Sequence, residues 1–112
     1  MNEAWRTILY QVAPRSRSAG FKSLLVTVDT ALEWNGYPEN TLKGLFAEAG
    51  KKLKKSGGTV GRAVSREIQV IWELGDRELL MKFLNKRFQR QPTAGELIDA
   101  LLFRLSGEKA GW

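Results

Sequence analysis

Along this chain the apolar residues recur at intervals of three and four, and no stretch alternates apolar with polar between turn signals. A repeat near 3.6 residues gives an α-helix one buried stripe, whereas a half-buried strand needs a repeat of two, so the pattern predicts an all-α fold. The 112 residues suffice for one core, and we expect a single helical domain spanning 1–112 with six helices. Hydrophobic residues at 43% place the chain among those that fold rather than among disordered ones.

The first helix is expected from about Asn2 to Val12, stopped by Pro14. The second starts at Ser18 as a cap, lines up Phe21, Leu24, Leu25, Val28 and Leu32, and ends at Asn35 and Gly36. The third begins around Glu39 to Thr41 and turns Leu42, Leu45, Phe46, Ala49 and Leu53 inward, leaving Lys43, Lys51, Lys52 and Lys55 outside. Ser56, Gly57 and Gly58 interrupt the periodicity, Thr59 or Ser56 caps a fourth helix, and Gly75 closes it after Leu74. Asp76 caps a fifth helix bearing Leu79, Leu80, Phe83 and Leu84. The spacing of Thr93 and Glu96 is that of a capping box opening the sixth. Helices three and four thus form a helix-turn-helix over about 39–75.

Net charge is +6, from 18 basic and 12 acidic residues. Residues 1–50 hold five of each and residues 67–112 seven of each, so the excess lies in Lys51, Lys52, Lys54, Lys55, Arg62 and Arg66, with no acid among them. The fourth helix, expected over about 59–74, has Val60, Ala63, Val64, Val70, Ile71 and Leu74 on one arc. Gly58, Gly61, Arg62, Ser65, Arg66 and Gln69 lie on the other, and the two glycines would let a backbone approach another molecule closely. Arginine, serine and glutamine are residue types that read base edges, which makes Arg62, Ser65 and Gln69 candidates for base contacts. Lys51, Lys52, Lys54, Lys55, Thr59 and Arg66 are candidates for phosphates. Glu67 falls in the apolar arc and is expected to reach an edge or pair with a basic residue, because an unpaired buried carboxylate is costly. The alternative for each feature is an ordinary amphipathic helix whose lysines are solvated.

The motif Gly50-Lys51-Lys52-Leu53 followed by Val60, Arg62-Ala63-Val64, Ile68, Val70, Trp72 and Gly75, with Pro92-Thr93 and Glu96 further on, resembles the C-terminal DNA-binding effector domain of the sporulation response regulator, stage-zero sporulation protein A. Similarity is densest from Leu42 to Arg104 and weaker back to Ala19. The resemblance implies a six-helix fold with helices three and four as the helix-turn-helix, and implies that Arg62 reads a base. Gly61 stands where the family has a base-contacting glutamate, Ser65 where it has an arginine and Arg66 where it has a histidine, so the family's operator is not carried over. No residue corresponds to the receiver's phosphorylated aspartate, and control by phosphorylation of this chain is not expected.

Enzymatic readings are weak. Without histidine or cysteine the usual base near neutral pH, thiolate chemistry and the commonest zinc ligands are missing. Gly44 and Gly50-Lys51 have the wrong spacing for a phosphate loop, and Gly57 to Gly61 lacks a preceding strand. Glu96 and Asp99 could be imagined as ligands for magnesium in a phosphoryl-transfer site, but suit an ordinary first turn better. No catalytic residue, metal or cofactor is expected. The expected partner is double-stranded DNA, with the chain cytoplasmic and nucleoid-associated in a bacterium, without a secretion signal or membrane span. Monomer and homodimer on DNA are both open. Lys82, Lys86, Arg87 and Arg90 form a second basic strip suited to an acidic partner such as a sigma factor of RNA polymerase. A module that binds RNA polymerase or another regulator without reading DNA is the alternative function.

Overall fold

Six helices account for the regular structure of the described residues, 4–109, in the computed structural model, with side chains described through Ser106. They are α1 (Ala4–Val12), α2 (Ala19–Trp34), α3 (Leu42–Leu53), α4 (Gly57–Leu74), α5 (Arg77–Leu84) and α6 (Ala94–Lys109), with a short 3₁₀ turn over Pro38–Asn40. No strand occurs among them. The expected start of α1 at Asn2 lies outside the described residues.

Caps account for most of the boundaries. The side chains of Ser18, Thr41, Ser56 and Asp76 accept hydrogen bonds from the amides of Phe21, Gly44, Thr59 and Leu79, each satisfying a first-turn donor. At α6 the capping box is complete: Thr93 N–H donates to Glu96 Oε1 at 2.8 Å, and Glu96 N–H to Thr93 Oγ1 at 3.1 Å.

One boundary is narrowed within its expected range and two differ from expectation. Thr41 caps α3, and Glu39 precedes it in the 3₁₀ turn with φ of 56°. Ser56, not Thr59, caps α4, which therefore begins at Gly57 rather than 59. Gly57 and Gly58 belong to its first turn, and the link between α3 and α4 is Lys54-Lys55-Ser56. Lys54 takes the left-handed conformation at φ 59° and ψ 45°, and Lys55 N–H donates to Gly50 O at 2.9 Å. A Cβ on Gly50 would collide with the Lys55 carbonyl folded back over it, which gives that glycine a steric reason. Gly75 is extended rather than left-handed. It is glycine because a Cβ would run into the Val12 carbonyl, to which Asp76 N–H donates at 3.0 Å.

The core is shared. Trp5, Leu9, Phe21, Leu24 and Val28 meet Val60, Val64, Ile68 and Ile71 of α4, and Leu80, Leu97 and Leu101 close the far side. A smaller cluster joins Ala31, Leu45 and Ile98. The buried stripe of α4 is Val60, Val64, Glu67, Ile68 and Ile71, rotated by roughly 40° from the expected arc. Leu74, placed inside by periodicity, is 65% exposed. Leu74, at the C-terminal end of α4, lies outside the buried clusters to which Ile68 belongs. Among the described residues no helix is long and apolar enough to cross a membrane.

Candidate nucleic-acid interface

The α3–α4 pair presents the face that the sequence singled out. Gly57 lies over the backbone of Ala47, and a Cβ on Gly61 would approach the Phe46 ring to 3.0 Å, so α4 sits unusually close to α3. Gly61 is thus taken up by its own chain rather than left for another molecule, a correction to the expectation. Gly58 is the outward glycine, with only the Arg62 guanidinium within 4 Å of a built Cβ.

Arg62, Ser65, Arg66 and Gln69 are exposed along one side of α4. Together with Lys43 and Phe46 of α3 and Gln91 from the α5–α6 connection, they line one groove of about 890 Å³. Arg62 Nη2 donates to Thr59 Oγ1 at 3.4 Å, and Ser56 Oγ donates to the same oxygen at 2.9 Å. Gln69 Nε2 donates to Glu73 Oε2 at 3.3 Å, so an acid marks the end of the basic face. Lys43 and Gln91 were missed in the sequence. Lys43 carried a signal, being polar at the start of α3. Gln91 carried none, because it is far from α4 along the chain.

The lysine cluster divides. Lys51 Nζ lies 2.8 Å from Glu48 Oε2, and Lys52 Nζ lies 2.8 Å from Glu33 Oε1 near the end of α2. Glu48 holds the Lys51 ammonium above its ordinary pKa through hydrogen bonding and charge. Among the described residues no ion pair engages Lys43, Lys54, Lys55, Arg62 or Arg66. The positive charge beside α4 is therefore carried by the turn and by the helix itself.

Behind that face Glu67 is 4% exposed, not at an edge. Its Oε1 accepts from Ser18 Oγ at 3.2 Å, while Oε2 has no hydrogen-bond partner. Burial raises its pKa, partly offset by the Ser18 hydroxyl and the charge of Arg15. A hydroxyl, not a basic side chain, supplies the partner.

The second basic strip is partly neutralised: Arg87 pairs with Glu78 at 2.8 Å and Arg90 with Glu96 at 3.3 Å. Lys86 Nζ lies over the Phe88 ring at 5.8 Å. Asp99 accepts from the Tyr37 hydroxyl and Glu96 is engaged in the cap, so the two acids imagined as magnesium ligands hold α6 in place.

The family model described as Sporulation initiation factor Spo0A C terminal matches residues 6–105. The chain belongs to this family. Spo0A C-terminal domains are DNA-binding effector domains that regulate transcription in sporulation, not enzymes. The all-helical fold agrees with that membership. No curated protein matches the chain.

Proposed function

We propose that this Spo0A C-terminal domain binds double-stranded DNA selectively by seating α4 in the major groove. The observation that carries the reading is the row of Arg62, Ser65 and Gln69 exposed on one side of a helix whose other side is core. Arg62 suits guanine, Gln69 adenine, and Ser65 either. Lys54, Lys55 and Thr59 at the start of α4, together with Arg66, face phosphates, and Lys43 joins them from α3. Lys51 and Lys52 make weaker contributions, since each would first leave its acid. Lys43, Lys54, Lys55 and Arg66 alone correspond to a log-log salt slope on the order of −4.

Selection of bound duplexes from a random pool tests this directly. A recovered consensus is the expected result, and recovery of no preferred sequence overturns the selectivity. A symmetric or tandem consensus would go with two copies on one site, as half-site geometry requires. Such activity places the chain at the bacterial nucleoid.

One observation favours a second reading. Phe103 is 83% exposed, in a cleft between α5 and α6 beside Lys82 and Lys86. An aromatic side chain flanked by cations suits an acidic protein partner such as a sigma factor. Pull-down of sigma factor that survives Arg62→Ala but not Phe103→Ala would support it.

A further inference from the structure

We infer that the loop between α1 and α2 is a second phosphate-gripping edge, in which Arg15 and Arg17 hold one DNA strand while the α3–α4 turn holds the other. This rests on the proposal that α4 enters the major groove, and extends the contact to a segment whose net charge along the sequence concealed it.

The placement follows from α4. At about 100° per residue, Gly57 and Gly61 face α3, whereas Ala63 and Glu67 face the start of α2. A Cβ on Gly20 would stand 3.5 Å from the Ala63 carbonyl and 3.1 Å from Glu67 Oε1. Arg62, Ser65, Arg66 and Gln69 lie on the arc between those two contacts, so the face is bordered on both sides. Arg66 leans toward the α2 side. A helix with its side chains is about 10–12 Å wide and the major groove about 12 Å, so elements flanking the inserted helix meet the two bordering strands.

The loop is built rather than slack. Ser18 N–H donates to Arg15 O at 3.1 Å, closing a turn. Ser18 Oγ accepts from Phe21 N–H at 3.0 Å and donates to Glu67 at 3.2 Å, which pins the loop to the α2-facing side of α4. Arg15 and Arg17 are both exposed, and among the described residues neither forms an ion pair. From Ala13 to Lys22 there are three basic residues and no acid. Three of the five acids that balance residues 1–50 are engaged elsewhere: Asp29 with Arg6, Glu33 with Lys52 and Glu48 with Lys51. The zero sum of that segment conceals a cationic edge next to Arg66.

The test is the salt dependence of binding to a random-sequence duplex, for the whole chain and for Arg15→Ala/Arg17→Ala. The double variant is expected to flatten the log-log slope by about two, one ion released per lost phosphate contact, and Arg17→Ala alone by about one. Arg17→Ala also serves if the double variant does not fold, since of the two arginines it is Arg15 whose charge acts on the buried Glu67 carboxylate. A steep wild-type slope left unchanged by both variants overturns this inference and leaves the α4 reading standing. A wild-type chain that binds duplex without salt dependence, or not at all, overturns both.

Discussion

The Phe46 ring of α3 stands 3.0 Å from the point where Gly61 of α4 would carry a Cβ. The spacing of the two helices, and with it the depth of the groove below Arg62, is set by that contact. Gly61→Ala gains helix propensity of about 1 kcal/mol but must displace the ring, an overpacking cost of about 1–3 kcal/mol. A net loss of about 1 kcal/mol is expected. Gly58→Ala, whose Cβ would make only an ordinary contact with the Arg62 guanidinium at 3.5 Å, should gain about 0.5 kcal/mol. Parallel urea melts measure both, and equal gains would deny the ring a spacing role.

Arg62→Ala should cost about 1–3 kcal/mol on the selected duplex and narrow the gap between selected and random duplex. Lys55→Ala should weaken both to the same extent. Competition titrations at fixed salt separate the two patterns. Equal losses from Arg62→Ala on both duplexes would remove it from base reading.

Lys54 combines a left-handed backbone with a charge at the turn. A non-glycine residue there costs roughly 1–2 kcal/mol, part of which Lys54→Gly recovers against the greater chain entropy of glycine. The variant should melt at higher denaturant concentration while its salt slope flattens by about one. More stability with unchanged DNA binding would exclude Lys54 from the phosphate contacts.

Glu67 should make stability fall as pH rises. Its folded-state pKa is raised by burial, so the folded protein favours the protonated acid. The penalty is absent below the unfolded value of about 4.3, grows as pH passes from there through the folded value, and is constant above. Glu67→Gln keeps an acceptor for Ser18 without the charge, and should match the wild type at the acid end while exceeding it by about 1 kcal/mol at neutral pH. Thermal melts across that range check it. A constant difference at every pH would mean that the carboxylate's charge is not the cause.

The helices were legible because their signals are local. A serine, threonine or aspartate reaches an amide three residues on, and Ser18, Asp76 and the Thr93–Glu96 pair act just where spacing placed them. The outer face of α4 was legible for the same reason. What periodicity could not give was the rotation of that helix, because whether Ile68 or Leu74 is covered depends on where the neighbouring helices pack against it. Nor could it show the neutralisation of Lys52, since Glu33 is nineteen residues away and approaches only through packing of α2 on α3. Gln91 at the groove is a juxtaposition of the same kind.

The reciprocal bonds of Thr93 and Glu96 fix the first turn of α6 two residues after Gln91. The far wall of the α3–α4 groove is therefore hung from the final helix, whose opening, not its tail, governs how wide a ligand the groove admits. Trimming the C-terminal end should leave that aperture intact, while fraying the Pro92–Thr93 corner would widen it from a distance.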